Sequence, residues 1–497
     1  MCGIIGVIDT NRILDPEKLV LLGKMGAISI QHRGPDATGI SWSNGDRVWT
    51  DKELKQVNFF LTPERMQRIA KDKPRAISMH VRYGTRGPAD LMNAQPHYVR
   101  DVHGTWSLAS NGDIPDLARW RRQLKKKGVK FYSENDAEYL LLKTLDYFKR
   151  NSGDIVEAIA DTIKTTPGSF SSCLMTGEAV YLFRDRFANR PLWIAEFLDG
   201  VYVWSSETCA IDMIFWYFKQ EPVFLREVKP GEIIRIGFKG GCSSYQKVRP
   251  AERLKRCIFE NVYFARPDSL VGHLEAKDYP NIRRLIEAEQ MEDIGSHRYR
   301  AAKLNIEQKP IPEDYVIISV PASGDFYAVG AETASGLTMR LGIVRNAYVG
   351  RTFLGPDESA RERMAWLKFN PMWTLFLSKP KVVITEDSIV RGNNLKIVIQ
   401  MLKKRGAKSV HLRIGCPPVI GSCPYGIDTP TQRELFANNF LGKNGQPDVR
   451  RIAKELGADD LEYLTLENLR RCAAKVASPD DYCYACFNRE YWHGKEE

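Results

Sequence analysis

The chain begins with the stretch MCGIIGVID, residues 1–9, and this stretch decides how the first half of the protein folds. Removal of Met1 would make Cys2 the N-terminal residue, so that a single residue would carry both a thiol and a free α-amino group. Their ordinary pKa values are about 8.5 and about 8, and the amine can therefore accept the thiol proton as the sulfur attacks a carbonyl. Residues 3–8 are small or apolar and predict a buried strand that holds Cys2 in place. A Met-Cys pair alone is better explained as a small residue at the start of an edge strand, so the interpretation of Cys2 as a nucleophile depends on the segments that follow.

The size and composition of the chain predict a globular protein of two or three domains. It has 497 residues, of which 43% are hydrophobic and 27% are charged, and this length is too great for a single core. The formal net charge of +11 favours anionic partners, but the basic residues are spread along helical stretches and no nucleic-acid-binding signature is present. Since the sequence has no signal-peptide pattern and no apolar run of about 18 residues, we expect a cytoplasmic protein without nucleic-acid or membrane partners. The ten cysteines are then expected to be free, reactive or metal-bound.

Five short segments follow the first strand in the N-terminal half. They combine turn-forming residues with single charged or amide side chains, and the last one ends a predicted strand in an Asn-Gly pair that alone predicts a hairpin turn. The segments are QHRGPDATG (31–39), AISMHVRY (76–83), TRG (85–87), NAQPH (93–97) and SLASNG (107–112).

In this order the segments resemble the class II glutamine amidotransferase domain. The resemblance implies an α+β N-terminal-nucleophile (αββα) glutaminase domain over residues 1–250, with two antiparallel sheets between helices. It also implies that Cys2 attacks the side-chain amide of glutamine. The Asn111 side chain and the Gly112 N–H would then hold the oxyanion that develops on the amide.

The resemblance further assigns the residues that bind the rest of the glutamine molecule. Arg82 would pair with the α-carboxylate, a contact that suits a guanidinium, and Asp136 would bind the α-ammonium group. Arg33, the cation of the first segment, joins this substrate-binding set. One departure is visible: the family usually has His-Asn-Gly-Asn where this chain has Ser110 and Asp113 around the same Asn-Gly pair. The two oxyanion donors are unaffected by it.

Later segments predict the rest of the second sheet. Residues 180–185 and 204–210 alternate in the manner of strands, so Cys173 and Cys209 are interpreted as small core residues within strands. The turn and strand at residues 228–233 predict the end of the domain.

The chain changes character at residues 256–269, RCIFENVYFARPDS, and then predicts alternating strands and helices. This string resembles the linker of the amidophosphoribosyltransferase family, which implies an α/β type I phosphoribosyltransferase domain over residues 251–497. Residues 316–320 predict a buried parallel strand, and PASGDF (321–326) is the loop at its end. In this family such a loop would offer backbone amides to pyrophosphate and the Ser323 hydroxyl to magnesium.

The segment VVITEDSIVRGNN, residues 382–394, resembles the phosphoribosyl-pyrophosphate motif. Four apolar or small residues lead to two adjacent carboxylates, which can accept hydrogen bonds from ribose hydroxyls and hold magnesium, and then to a loop that can wrap a phosphate at a helix start. An acidic helix cap after a core strand would explain the carboxylates but not the loop. The substrate-binding residues assigned here are Glu386, Asp387, Ser388, Arg391, Gly392, Asn393 and Asn394, with Tyr348 and Arg351 in a closing loop.

Four departures from the family pattern fall on this sugar-phosphate site. Asn393 and Asn394 replace two threonines, Glu386 replaces an aspartate, Ala322 replaces an acidic residue, and Ala347 replaces an arginine. The loss of one charge-assisted phosphate contact costs about 1.5–3 kcal/mol. Asparagine amides can also donate to phosphate, so the sequence leaves both an altered site and an inactive one open.

Four cysteines coincide with the iron-sulfur ligands of one branch of the family. Four thiolates suit a [4Fe-4S] cluster, and they also suit zinc; the resemblance favours the cluster, in a structural role that ties the linker to the C-terminal tail. These residues are Cys257, Cys423, Cys483 and Cys486.

Taken as a whole, the resemblance implies a glutamine-dependent amidotransferase that makes phosphoribosylamine from phosphoribosyl pyrophosphate, the first step of de novo purine synthesis. It also implies Mg²⁺, a homotetramer and purine nucleotide effectors. Two alternatives remain open: a paralogue whose intact glutaminase aminates another anionic substrate, and a non-catalytic nucleotide-sensing subunit. The presence of Cys2, Arg82, Asn111 and Asp136 together counts against the sensor, because folding alone requires none of them.

Overall fold

A computed structural model describes the protein at residues 1–84, 90–272, 285–286, 288, 291–349 and 366–493. Two antiparallel sheets occupy the first half, and a four-stranded parallel sheet occupies the second. No helix within these residues is both long enough and apolar enough to span a membrane.

The two antiparallel sheets pack face to face. The first has seven strands and the second has six, and residues of both sheets form one apolar cluster between them. The strands are β1 (Gly3–Asp9), β2 (Ala37–Ser43), β3 (Val48–Glu53), β4 (Ala76–Arg82), β5 (His97–Asp101), β6 (Gly104–Asp113), β7 (Ser169–Met175), β8 (Ala179–Arg184), β9 (Trp193–Glu196), β10 (Val201–Ser205), β11 (Phe224–Glu227), β12 (Ile233–Gly237) and β13 (Cys242–Tyr245). Their orders are β11-β9-β10-β1-β4-β2-β3 and β13-β12-β8-β7-β6-β5.

Helices cover the outer faces of both sheets, which confirms the αββα prediction. The first sheet packs against one set of helices in a shared apolar cluster, and the second sheet packs against another set in a second cluster. The first set is α1 (Pro16–Ser29), α2 (Val57–Phe60), α3 (Pro63–Lys71) and α7 (Thr208–Phe218), and the second is α4 (Leu117–Lys125), α5 (Asp136–Arg150) and α6 (Ile155–Thr165). Strand β1, predicted from the opening stretch, is buried along its whole length at the centre of the first sheet.

Two local predictions for this half were wrong. The Asn111-Gly112 pair lies within β6 rather than in a turn, because β7 pairs with the strand beyond it. Glycine is needed there for a close strand contact: a Cβ on Gly112 would lie 1.9 Å from the Ser169 carbonyl oxygen. Cys209 lies on α7 and not in a strand, since β10 ends at Ser205 and the apolar residues that follow pack as a helix against the first sheet.

The second half follows the predicted alternation of strands and helices. Its strands are β14 (Arg256–Cys257), β15 (Leu270–Gly272), β16 (Met291–Asp293), β17 (Tyr315–Ser319), β18 (Ile343–Arg345), β19 (Phe369–Pro371), β20 (Lys381–Glu386), β21 (Ser409–Ile414), β22 (Asp460–Tyr463) and β23 (Tyr482–Cys483). Its helices are α8 (Ile294–Gln308), α9 (Asp325–Ser335), α10 (Trp373–Phe376), α11 (Asn393–Arg405), α12 (Val449–Leu456), α13 (Leu466–Ala473) and α14 (Ala485–Asn488).

The parallel sheet brings two predicted loops together. Its strand order is β17-β20-β21-β22, and Ser319 on β17 lies opposite Thr385 on β20. Because the carboxyl ends of neighbouring parallel strands meet at one edge of the sheet, the loop after residue 320 lies beside the loop after residue 385.

The linker between the halves runs along the first domain. Backbone hydrogen bonds join Ala251 N–H to the Arg186 carbonyl at 2.9 Å and Lys255 N–H to the Phe187 carbonyl at 2.8 Å. Strand β14 of the linker then pairs in parallel with β23 of the C-terminal tail. The linker is therefore held by both halves.

We expect Gly6→Ala to destabilise the protein through the core of the first sheet. A Cβ on Gly6 would lie 2.0 Å from the Trp204 ring and 2.5 Å from the Ile77 carbonyl oxygen. Overpacking a filled core costs about 1–3 kcal/mol of stability. Because the new Cβ also meets a backbone atom, we expect this variant to lose at least about 3 kcal/mol. Thermal unfolding should show a midpoint several degrees lower.

Gly23→Ala on α1 is the matched control. The nearest atoms to its Cβ would be side-chain atoms of Ile77, at 3.1 Å, and of Met79, at 3.6 Å, and alanine is the better helix former by about 1 kcal/mol. Its unfolding midpoint should stay the same or rise, and an equal drop in both variants would contradict the packing argument.

Candidate active site

Cys2 lies immediately before β1, at the end of the central strand of the first sheet. Its thiol is partly buried, and Sγ donates to the Tyr83 carbonyl at 3.7 Å. Burial raises the pKa of the Cys2 thiol, while the positive charge of the nearby α-amino group lowers it. In the described chain that amine belongs to Met1, and burial lowers its pKa from 8.0 to about 6. An amine in these surroundings is therefore largely neutral at pH 7 and able to accept a proton.

Arg33 holds the Cys2 backbone in place. Its Nε donates to the Cys2 carbonyl at 2.9 Å, and its two terminal nitrogens bind the carboxylates of Glu207 and Glu260. The Arg33 side chain is completely buried. Arg33 was predicted to bind substrate; in the structure its guanidinium contacts the Cys2 carbonyl and two protein carboxylates.

The predicted oxyanion donors lie near the end of β6. The Asn111 side chain is fully buried, and its amide has no hydrogen-bond partner among the described residues. Phe170 lies opposite Gly112 on β7. Its N–H donates to the Asp185 carboxylate, and its C=O accepts a hydrogen bond from the Asp185 N–H. Antiparallel pairs alternate between bonded and non-bonded, so Gly112 and Phe170 form a non-bonded pair, and the Gly112 N–H points away from β7. Neither the Asn111 side-chain amide nor the Gly112 N–H is therefore used in the hydrogen bonds between β6 and β7.

Arg82 and Asp136 bring opposite charges to the thiol. Arg82 ends β4 and Asp136 begins α5, and both side chains are buried. Asp136 raises the pKa of the Cys2 thiol and Arg82 lowers it, both more weakly than burial does, so the two charges act on the same centre. Gly34 packs on the Arg82 backbone, where a Cβ would lie 2.4 Å from the Arg82 carbonyl carbon. A buried cation and a buried anion beside a nucleophile suit an α-amino acid substrate.

Neither the two glutamates that bind Arg33 nor the buried position of His80 beside the first strand could be predicted from the sequence pattern. The carboxylates lie 174 and 227 residues from Arg33, so no local pattern connects them. His80 lies opposite Ile4 on the neighbouring strand, and burial followed by the charge of Arg82 lowers its pKa to about 3. This histidine is therefore neutral at pH 7 and too weak a base to activate the thiol.

The predicted sugar-phosphate residues meet at the edge of the parallel sheet. The Ser323 hydroxyl donates to Glu386 Oε1 at 2.6 Å, which joins the loop after β17 to the end of β20. Asp387 is buried and accepts a hydrogen bond from the Ser388 hydroxyl. Burial raises the pKa of Glu386 well above its ordinary value, and the adjacent Asp387 charge raises it further. Three oxygen-bearing side chains thus lie together, which is the donor set that magnesium prefers.

The rest of this loop leads into α11. Gly392 has a φ of +75° and caps the helix, and a Cβ there would lie 3.0 Å from the Phe436 ring. Asn393 and Asn394 are the first two helical residues, and both side chains are exposed, as is Arg391. The N–H groups of the first helical turn therefore face the loop, in the arrangement that binds phosphate.

The closing loop is only partly described. Tyr348 is 99% exposed, so its ring contacts neither the carboxylates nor the start of α11. Arg351, the other residue assigned to this loop, lies outside the described residues. The structure therefore does not bring Tyr348 to the sugar-phosphate site.

The four predicted metal ligands come from three separated segments and gather in one region. Cys257 on β14 lies directly opposite Cys483 on β23. The Cys486 carbonyl accepts hydrogen bonds from the N–H groups of residues 420 and 421, which lead to Cys423. All four are free cysteines. The linker, the loop before residue 430 and the tail therefore meet at these thiols.

The pKa values of Cys483 and Cys486 depend on the neighbouring cysteines. Burial raises the pKa of Cys483 to about 12, with further contributions from Cys257 and Cys423. Burial raises the pKa of the Cys486 thiol well above its ordinary value, and the other three cysteines raise it further. Across the described ranges, however, no three His, Cys, Asp or Glu side chains form a group that could hold a metal ion as they stand.

Comparisons with known proteins found relatives of the N-terminal half and of the whole chain. A family model described as a glutamine amidotransferase domain matches residues 89–213. The chain is 33% identical to the amidophosphoribosyltransferase of Methanocaldococcus jannaschii over 99% of this chain and 97% of the relative. It is 32% identical to that of Archaeoglobus fulgidus over 99% of this chain and 98% of the relative.

Solved structures are similar over the same length. One is the glutamine phosphoribosylpyrophosphate amidotransferase from B. subtilis complexed with ADP and GMP, with a TM-score of 0.81, 28% identity and coverage of 99% of this chain and 97% of that chain. Another, described as the allosteric regulatory enzyme of purine biosynthesis, has a TM-score of 0.82, 29% identity and coverage of 99% and 96%.

We expect Glu260→Gln to destabilise the junction between the halves. The substitution keeps the shape of the side chain but removes the charge that faces Arg33 at 2.8 Å and Arg190 at 3.4 Å. Removing one partner of a buried ion pair costs about 3–5 kcal/mol, because the remaining charge stays buried. Calorimetry at pH 7 should show a lower unfolding temperature.

Glu53→Gln provides the comparison, because Glu53 pairs with Arg65 at 2.7 Å on a partly exposed surface. An exposed pair contributes about 0–1 kcal/mol, so this variant should unfold close to the wild-type temperature. Similar small shifts in both variants would show that Arg33 does not depend on Glu260.

Proposed function

The chain belongs to the amidophosphoribosyltransferase family, and from this premise we propose that it uses glutamine nitrogen to convert phosphoribosyl pyrophosphate into phosphoribosylamine, the first step of de novo purine synthesis. The observation that carries the proposal is the Cys2 thiol at the start of β1 within the field of Arg82 and Asp136, together with a buried Asn111 amide that has no hydrogen-bond partner among the described residues. Full-length similarity to named relatives supports the second reaction.

The first reaction begins with Cys2 as the N-terminal residue after removal of Met1. The freed amine accepts the thiol proton, and the sulfur attacks the side-chain amide carbon of glutamine. Arg82 binds the α-carboxylate and Asp136 binds the α-ammonium group, while Asn111 and Gly112 donate to the oxyanion. Collapse of this intermediate releases ammonia and leaves a thioester, which water hydrolyses to glutamate and free Cys2.

The second reaction takes place at the edge of the parallel sheet. Ammonia attacks C1 of the sugar, the C1–O bond breaks, and pyrophosphate leaves. Glu386 and Asp387 accept hydrogen bonds from the ribose hydroxyls, and the N–H groups at the start of α11 bind the 5-phosphate. With Ser323, the same carboxylates are the residues that would hold Mg²⁺, which neutralises charge on the pyrophosphate.

The four departures from the family pattern act on side chains of this site. Asn393 and Asn394 retain amide donors in place of hydroxyls, and Gly392 retains the turn into the helix. We therefore propose that the site still binds phosphoribosyl pyrophosphate. The remaining assigned residues, Ser388, Arg391, Tyr348 and Arg351, stay in this proposal as phosphate-binding or closing-loop groups.

We propose that Cys257, Cys423, Cys483 and Cys486 hold a [4Fe-4S] cluster, in a structural role. The surroundings of these thiols fit such a group: the Tyr425 N–H points to Cys423 Sγ at 3.4 Å, and the buried Arg190 cation faces Cys257 and Cys423. Hydrogen bonds to sulfur and compensating charge are features of iron-sulfur sites.

Assembly, regulation and location extend the same proposal. We propose a homotetramer with purine nucleotide effectors; the B. subtilis relative is described as complexed with ADP and GMP. A reducing, cytoplasmic environment suits ten cysteines that are all free. We place the domain boundary near residue 250, where the last strand of the antiparallel sheets has ended and the linker begins.

Cys2→Ala should abolish pyrophosphate release with glutamine but not with ammonium as the nitrogen donor. The variant lacks the nucleophile, whereas the second site lies on other elements and needs only free ammonia. Steady-state assays with phosphoribosyl pyrophosphate and each donor measure both activities. Mass spectrometry of the wild-type protein should show that Met1 is absent.

Equal loss of both activities would contradict the separation of the two sites, and retention of Met1 would remove the proposed base. The same assays separate the alternatives. Glutamine hydrolysis without pyrophosphate release would indicate a different acceptor, and absence of both activities with nucleotide binding would indicate a sensor.

Anaerobically purified protein should contain about four iron atoms per chain and absorb visible light as [4Fe-4S] proteins do. Cys423→Ser should lose most of this iron and absorption, because it removes one of the four thiolates. Cys242→Ser, on the edge strand β13, should retain both. Zinc without iron in the wild-type protein would overturn the cluster assignment.

A further inference from the structure

The loop that carries Cys423 reaches the first half of the protein at the oxyanion strand. Gly426 in this loop has a φ of +110°, and a Cβ there would lie 2.8 Å from the carbonyl carbon and 2.9 Å from the carbonyl oxygen of Gly112. The backbone of the cysteine loop therefore lies directly on the Gly112 peptide, with no room for a side chain.

The contact falls on the residue that carries the donor. Because Gly112 forms a non-bonded pair with Phe170, its N–H and C=O both point away from β7. A Cβ on Gly426 would lie 2.8 Å from the Gly112 carbonyl carbon and 3.2 Å from the Gly112 Cα, the atom that links this carbonyl to the Gly112 N–H. A Cβ on Gly112 itself would lie 1.9 Å from the Ser169 carbonyl oxygen of β7. Gly112 is thus held between β7 and the cysteine loop.

Tyr425, the residue before Gly426, fixes the loop from two directions. Its carbonyl accepts a hydrogen bond from Arg190 Nε of the first half at 3.0 Å. Its hydroxyl accepts from the Trp492 N–H of the tail at 2.9 Å and pairs with His493 Nδ1 at 2.7 Å. The Tyr425 ring also stacks on Trp492 with a centroid distance of 4.3 Å. The position of Gly426 is therefore set by both halves of the chain.

We propose that Gly426 and Tyr425 are positioning residues of the glutamine site: their contact with the Cα and carbonyl of Gly112 fixes this residue so that its N–H meets the oxyanion formed on glutamine. The inference rests on the proposed glutaminase reaction and adds to it a required contribution from the C-terminal half. An oxyanion donor acts at about 2.7–3.1 Å, so a shift of a few tenths of an ångström in the Gly112 peptide weakens it.

Gly426→Ala tests the proposal, because the new Cβ must displace the Gly112 peptide. Removal of an oxyanion donor lowers kcat by about 10²–10³-fold, and displacement should lower kcat for glutamine hydrolysis by about 10–100-fold. The KM for glutamine should change by less than about 2-fold, because the Arg82 and Asp136 contacts remain. Ammonium-supported pyrophosphate release should also be retained.

Gly104→Ala is the matched control. Gly104 has a nearly identical φ of +112°, but a Cβ there would meet nothing within 4 Å. It therefore has the same backbone strain without the contact, and its kcat should equal that of the wild type. An equal loss of kcat in both variants would overturn the proposal.

Alkylation of Cys2 by iodoacetamide separates positioning from general damage. This displacement reaction forms no oxyanion, so its rate should be unchanged in Gly426→Ala while glutamine hydrolysis falls. A parallel fall in both rates would show that the loop supports Cys2 or the fold instead, and the proposal would be wrong.

Tyr425→Phe extends the test if Gly426→Ala does not fold. This variant keeps the ring and the carbonyl but loses the hydroxyl contacts to the tail, and we expect kcat for glutamine to fall about 3–10-fold at constant KM. Unchanged kcat would overturn the proposal. Glutamine hydrolysis by the wild-type protein is the reference: its absence would refute the proposed function itself, whereas its presence with unaffected variants would refute only this inference.

Discussion

The position of the nucleophile depends on one buried guanidinium. Arg33 binds the Cys2 carbonyl, Glu207 of the first domain and Glu260 of the linker, and Arg190 adds a second cation beside Glu260. Two cations and two anions balance one another in a region without solvent. Removing such charges from water is costly, and the cost is offset only when all the partners are in place. Because these partners come from both halves, the glutamine site is complete only when the linker is docked.

The docked linker in turn depends on the cysteine region. Cys257 lies in a strand that pairs with the C-terminal tail, and Cys423 lies in the loop that covers the oxyanion strand. Any group that binds all four thiols therefore joins three segments that are distant in sequence. A structural metal site contributes most where it closes long loops, since the unfolded chain loses the most freedom there. The location of these cysteines thus matches a role in holding the two halves together.

The sequence predicted those features that depend on local pattern. Apolar runs gave the central strand β1 and the strand before Glu386, and the carboxyl ends of parallel strands brought Ser323 and Glu386 together as expected. Features that depend on distant contacts were missed. The Asn111-Gly112 pair has the composition of a turn, but strand pairing extends past it. The partners of Arg33 were also not predicted, because Glu260 lies 227 residues away from it.

The altered sugar-phosphate loop retains the interactions that do not depend on the replaced side chains. A phosphate at the start of α11 meets backbone N–H groups, and an exchange of threonine for asparagine at 393 and 394 leaves these groups and the helix dipole unchanged. The carboxylates at this edge also keep their interactions despite the substitutions. Burial and the charge of Asp387 both raise the pKa of Glu386, so the pair gains stability when a cation shares its oxygens. The longer Glu386 side chain still reaches the Ser323 hydroxyl. This edge therefore keeps the groups that the proposed cation and phosphorylated ligand would use, although the individual side chains differ from the family pattern.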